Sequence, residues 1–349
     1  MYKKIIGAMF SFAISSTVFA YNPPAGGQNS LKITSPNLLT NANSSAGGAI
    51  FGATPASVVI NPSLTAFNQR IAFDAAGTLL FDADDDKHPF GGAFETGLLI
   101  PSKWLVSTFL VQGIFAPMTD MQLGDSFNFT AGVSKDVTDT LSVGTSCNLG
   151  LFYGYGNDWM ANFSLGAYYN FGNVGFLKDV RFGAVISNLG KMYSNTEVLG
   201  IKGSDADVWP ALATFRTGTA AMLLATNSVK MGVSLDLAFP TFQNVVADAG
   251  FMFQVKDFLK VSTAWEFDYL EYKNDCKNIL PSVGIGFKFL FHSNDNSYLT
   301  KKGWQQSEMT VSTAYRRMYE NVNAYSAGVV LDLGLQDKDA PEVSLWGEK

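Results

Sequence analysis

The sequence predicts an all-β protein, a transmembrane antiparallel β-barrel of about fourteen strands, and three observations carry that prediction. From Arg70 onward, apolar and polar residues alternate over segments of about 10 to 14 residues, well beyond the 5 or 6 of an average soluble strand. Aromatic residues gather toward segment ends, as in Trp104, Trp159, Phe171, Tyr269, Tyr272, Phe289 and Phe291, where the two interfacial girdles of a membrane barrel fall. The polar face of the alternation carries Gly, Ser and many charges, including Arg216, Lys230, Asp236, Asp248, Lys260, Glu266, Asp268, Lys288, Arg316 and Asp332. A soluble β-sandwich also alternates, but its inner face would not bury so many charges. That face therefore lines a wet or plugged lumen.

The chain opens with Lys3 and Lys4, an apolar run from Ile5 to Val18, and Val18-Phe19-Ala20, which reads as a secretory signal peptide (1–20) cut after Ala20. No later stretch reaches the ~20 uninterrupted apolar residues of a membrane helix. The mature chain is long enough for two ordinary domains or one large β structure. Its 33 Gly, 28 Phe and 13 Tyr favour the second. Cys147 falls mid-strand and Cys276 in a charged loop, so both are expected as free thiols. A net charge of -6 argues against nucleic acid as a partner and against a basic face for anionic lipid.

Residues 21–69 show no regular period, because Pro23-Pro24, Gly26-Gly27, Pro36 and Pro55 interrupt them too often for a helix or a central strand. Within them, Asn61-Pro62-Ser63 marks a turn: Pro62 fixes its own φ and keeps Asn61 out of the α region, while the Asn61 side chain can bond nearby backbone. The small residues Ala46, Gly47, Gly48, Ala49, Gly52 and Ala53 let this backbone lie close against other backbone, as a plug in a tube requires.

Period-two segments then follow near 70–81, 91–100, 104–116, 126–136, 140–154, 158–171, 180–190, 211–226, 228–240, 243–256, 258–271, 279–291, 307–319 and 322–335. Phe129, Phe163, Leu235 and Phe287 are expected to face lipid. The count is even, as single-chain outer-membrane barrels usually have it. With both termini periplasmic, connections after even strands should be short, and Ser102-Lys103, Thr138-Asp139, Asn227-Ser228 and Lys256-Asp257 fit. Asp82 to Pro89, Pro117 to Asp125 and Lys191 to Pro210 follow odd strands and would face outward. One connection disagrees: the long stretch from His292 to Ser307 follows the twelfth strand, so it either folds under the barrel or marks a strand merged or split.

A signal peptide, a Gly/Ala-rich N-terminal segment, Asn61-Pro62-Ser63-Leu64-Thr65-Ala66 and about fourteen strands together resemble the FadL-type outer-membrane long-chain fatty-acid transporter superfamily. A second partial match is Trp209-Pro210 followed by Thr214-Phe215-Arg216-Thr217-Gly218 at a strand start. Ser63 stands where the family usually has Ala, and a polar tail (336–349) replaces the family's finish on a barrel strand. The resemblance implies a hatch (21–69) held in the lumen by Asn61, Pro62 and Ser63, a pocket for a hydrophobic ligand such as a long-chain fatty acid, and lateral release through a strand kink. It implies a monomer, outer-membrane lipid and the barrel assembly machinery as surroundings and partners, and no cofactor.

A fatty acid needs an apolar pocket and a cation for its carboxylate. Arg216, Lys230, Lys260, Lys288 and Arg316 point inward by alternation and could supply it. Each could instead pair with Asp236, Asp248, Glu266 or Asp332 on a neighbouring strand. An enzyme is not indicated, since His88 and His292 fall in loops on opposite sides of the barrel and no Ser lies on an adjacent strand for a triad. No Cys/His spacing suggests zinc. Asp82, Asp84, Asp85 and Asp86 read as a solvated acidic loop in preference to a calcium site. The alternatives to uptake are a structural or secretion-accessory barrel that binds protein partners, which the polar tail favours, and a general diffusion porin, which a plug disfavours.

Overall fold

The structure, a computed structural model, describes residues 31–102, 104–118, 125–153, 157–191, 212–273, 280–292, 306–318 and 321–334. The expected signal peptide, the start of the hatch segment, Trp209-Pro210, Cys276 and the 336–349 tail lie outside the described residues. Fourteen antiparallel strands close into one barrel, each paired with its sequence neighbours and the last with the first. They are β1 (Ile71–Asp82), β2 (Phe90–Pro101), β3 (Val106–Phe115), β4 (Asp125–Asp136), β5 (Leu141–Tyr153), β6 (Asn157–Val174) and β7 (Leu177–Lys191). The circuit continues with β8 (Thr214–Ala225), β9 (Val229–Pro240), β10 (Val246–Val255), β11 (Leu259–Asp268), β12 (Ser282–His292), β13 (Gln306–Met318) and β14 (Val322–Leu333). Closure of β1 on β14 runs in register from Ile71 opposite Leu333 to Asp82 opposite Val322, which removes every free sheet edge.

Alternation decides which way each side chain points. Phe129, Phe163, Leu235 and Phe287 stand exposed on the outside, while their neighbours Thr130, Asn162, Ser234 and Asp236 are buried inside. The exposed aromatics form two belts, Trp104, Phe171 and Phe289 near the rim of short turns and Trp159, Tyr269 and Tyr272 near the opposite rim. An apolar outer wall between aromatic belts around a polar interior is the surface pattern of a membrane-spanning barrel. No helix among the described residues is long and apolar enough to cross a membrane. Cys147 is a free thiol on the outer wall.

The long connection after β12 does not reflect a miscounted strand. His292 pairs with Gln306, so β12 and β13 are direct neighbours in the sheet, and the connection between them lies outside the described residues. The pairing is irregular in two places: β8 shifts register against β9 between Met222 and Leu224, and β7 is irregular on both sides, bulging against β6 between the pairs at Phe163 and Leu165, with Asn188 at φ 59° and Gly190 at φ 144°. The Asn188 amide donates to the Leu212 carbonyl at 3.1 Å, holding the bulge open toward β8.

Residues 31–69 lie inside the barrel as a compact inner segment. The proline spacing that argued against helix there excludes only long helix. Pro36 opens a single turn, α1 (Pro36–Leu39), and Pro55 and Pro62 open the 3-10 helices Pro55–Val59 and Pro62–Phe67. A proline in the first turn of a helix loses no hydrogen bond and arrives with φ already set. Ser35 caps the first of these turns and Asn61 the third through their side-chain oxygens. A second α-helical turn among the described residues, α2 (Tyr269–Lys273), follows β11 at the far rim.

Candidate functional site

The wall facing the inner segment has been cut back to admit it. A Cβ on Gly144 would overlap the Pro62 backbone, one on Gly166 the Asn61 side chain, and one on Gly183 the Ala46 carbonyl. Gly218, Gly232, Gly250 and Gly284 meet Ser45, Ile50, Ala42 and Thr40 in the same way. These glycines fall on strands around much of the barrel, so backbone packs on backbone where side chains would otherwise fill the lumen.

Asn61 is fully buried at the centre of this contact. Its amide donates to the Ala46 carbonyl at 3.0 Å and the Ala167 carbonyl at 3.2 Å, and its oxygen accepts from the Ser63 N–H at 3.1 Å and the Ser63 hydroxyl at 2.7 Å. Pro62 begins the turn that follows, and the Ser63 carbonyl accepts from Ser142 on the wall at 2.9 Å. Asn61 thus ties two stretches of the inner segment to each other and to β6.

The five inward cations divide into two groups. Arg216 pairs with Asp236, lies 3.7 Å from Asp248, and donates to the Ser44 carbonyl at 2.7 Å. Arg316 pairs with Glu266 across the intervening β12 and donates to the Asn41 side-chain oxygen at 3.0 Å. The Asn41 amide in turn donates to Asp248 at 2.7 Å and to Glu266 at 2.8 Å. Asn41 escaped the sequence reading because nothing in its spacing distinguishes it from Asn37 or Asn43. Lys32, also unforeseen, is buried beside the same acids. Its own burial, then Arg216, pull its pKa down to about 8, while Asp248, Glu266 and Asp236 act in the opposite sense. Three cations and three carboxylates therefore share one buried network between segment and wall.

Lys230, Lys260 and Lys288 lie at the other level, around a cavity of about 730 Å³ that opens at the rim of short turns beneath the inner segment. Lys230 does not pair with any of the four acids expected for it; it reaches Asp257 in the adjacent turn at 3.3 Å. Lys288 pairs with Glu308 at 2.8 Å, as does Arg70 at 2.6 Å. Arg70 also lies 3.6 Å from Asp332.

Toward the opposite rim the inner wall turns apolar. Leu80, Ile114, Met118, Phe152, Met160 and Met318 are fully or almost fully buried and cluster with Leu31, Ile33 and Leu39 of the inner segment. Below this collar, Asn128, Asn148 and Asn162 leave amide oxygens buried with no hydrogen-bond partner among the described residues. A small cavity of about 50 Å³ sits beside the β7 bulge, between Ser164, Asn188, Lys32 and Arg216. The acidic loop is held by its own backbone, Asp82 accepting from the Asp84 N–H at 2.9 Å and Asp85 from the N–H groups of Lys87 and His88. Among the described residues no group of His, Cys, Asp and Glu is placed to hold a metal ion.

No family model matches the sequence, and no curated protein matches it. Among solved structures, the chain is similar to the Pseudomonas putida toluene transporter TodX, at 10% identity over 90% of this chain and 99% of that one, with a TM-score of 0.48. It is also similar to the Ralstonia pickettii toluene transporter TbuX, at 10% identity over 87% of this chain and 98% of that one, TM-score 0.48. A third similar structure is a Pseudomonas aeruginosa FadL homologue, at 12% identity over 84% of this chain and 97% of that one, TM-score 0.45.

Proposed function

We propose that this chain is a FadL-type outer-membrane channel for the uptake of hydrophobic compounds, long-chain fatty acids foremost, with residues 21–69 as its hatch. The observation that carries this reading is the reversal of polarity along the lumen axis. The collar at the rim of long connections is lined by buried Leu80, Ile114, Phe152 and Met160, whereas the opposite end is lined by charge. A water-filled diffusion pore favours polar walls throughout, while an apolar entry above a packed segment suits a lipophilic compound and opposes ion flow. Long connections face outward in such barrels, so the collar would be the entry. The β7 bulge, with a small cavity behind it, is the irregularity through which a compound could leave sideways into the membrane.

Uptake of radiolabelled oleate by cells expressing the chain tests the reading. Leu80→Glu and Met160→Glu place a carboxylate in the collar where it packs against Leu31, Ile33 and Leu39 of the hatch, and each should lower uptake about tenfold or more while the barrel still folds. Uptake unchanged by both would refute it.

A further inference from the structure

Two carboxylates of the inner wall, Asp74 on β1 and Glu95 on β2, are buried, and among the described residues neither has a cation to pair with. Asp74 stands opposite Gly97 and Glu95 opposite Ala76, so the two are diagonal neighbours on one face. Glu95, Gln112 and Asn128 stand directly opposite one another on β2, β3 and β4. None of these four residues is more than 2 % exposed. Each keeps one buried oxygen with no hydrogen-bond partner among the described residues: Oδ2 of Asp74, Oε1 of Glu95, Oε1 of Gln112 and Oδ1 of Asn128. The donors nearby are engaged elsewhere. Thr34 donates to the other oxygen of Glu95 at 2.5 Å, and the Gln112 amide nitrogen donates to the Leu31 carbonyl at 3.0 Å and the Thr34 hydroxyl at 2.7 Å.

We infer that this part of the wall, centred on Glu95 and Gln112 and flanked by Asp74 and Asn128, is a binding site for one hard metal cation of the calcium type, which ties the start of the hatch to the wall. Four oxygens without donors, two of them on carboxylates, call for positive charge. Water could donate to them, but it would leave both carboxylates uncompensated in a site closed to solvent. The set holds two acids, not three, and amide oxygens complete it. Oxygen ligands alone suit a hard cation, and a divalent ion matches the charge of two carboxylates. Glu95 and Gln112 already hold Thr34 and Leu31, so an ion at their free oxygens fixes the first described turn of the hatch. The site goes beyond the uptake proposal and does not rest on it.

Equilibrium dialysis of the full chain, refolded in detergent free of lipopolysaccharide, against radioactive calcium tests it. Heat-modifiable gel mobility reports that each variant is a folded barrel. Calcium should bind saturably, at about one ion per chain. Glu95→Gln keeps the shape of the side chain while removing its charge, and should weaken binding about tenfold or more. Asp85→Asn, in the exposed acidic loop, should leave binding unchanged. Hydrogen exchange over residues 31–40 should slow on adding calcium to the parent chain and not to Glu95→Gln. Absence of saturable binding, equal binding by a folded Glu95→Gln, or exchange indifferent to calcium overturns the inference. So does binding lost in Asp85→Asn, which would place the ion in the loop. An infrared carboxylic-acid band that persists with calcium and is missing from Glu95→Gln overturns it as well, because a proton would then stand where the metal is assigned.

Discussion

At the scale of single residues, the contact between segment and wall concentrates on a few polar side chains that leave nothing nearby to replace them. Asn61→Ala strips the Ala46 and Ala167 carbonyls and the Ser63 N–H of their side-chain partner in a site closed to water. Buried groups left unpaired cost about 1 to 3 kcal/mol each, so the docked segment should loosen by roughly 2 to 3 kcal/mol. Hydrogen exchange over residues 44–66 should rise strongly while exchange in the strands stays slow; unchanged exchange would show that the turn needs no cap. Arg216→Leu leaves Asp236 buried without its ion-pair partner, and breaking a buried pair costs about 3 to 5 kcal/mol. The melting temperature should therefore fall, and the double variant Arg216→Leu/Asp236→Leu should recover part of the loss. A double variant less stable than either single one would contradict the pairing.

At the scale of elements, much of the barrel was legible and much of the segment was not, for one physical reason. A strand with lipid on one side and lumen on the other must alternate, so all fourteen expected segments overlap observed strands, and Asn128, Lys230 and Glu266 fall on the inner face as their parity requires. Inside the lumen no face is repeatedly apolar, so α1 and the two 3-10 helices left only their prolines as a trace. Ion pairs between adjacent strands, such as Arg216 with Asp236, follow from parity and register. Arg316 with Glu266 does not, because it crosses β12, and Lys32 and Asn41 enter the same network from a stretch with no period at all. The glycines facing the segment stood in the sequence as polar-face residues, but their meaning appears only once backbone is seen packed on them. Gly183→Val sets a side chain against the Ala46 carbonyl, and no rotamer relieves an overlap that begins at Cβ. The expected result is a barrel that assembles with its inner segment displaced, seen as new protease cleavage between residues 31 and 69. Gly77→Ala, where a Cβ would have its nearest neighbour at 3.9 Å, should leave the cleavage pattern unchanged.

At the scale of the whole molecule, the lumen is layered along its axis: an apolar collar, a packed segment locked by hydrogen bonds and a balanced charge network, and a charged vestibule. The central claim is that the middle layer closes the barrel to water and ions. Single-channel conductance in a planar bilayer reads that directly. The full chain should pass almost no current, because the segment fills the bore and its ordering is held by many contacts at once. A variant lacking residues 21–60 should still assemble, since β1 begins at Ile71, and should open a lumen lined by Arg216, Asp236, Arg316 and Glu266, giving large, stable conductance steps. Equal conductance from the two proteins, whether both are open or both are closed, would contradict the account.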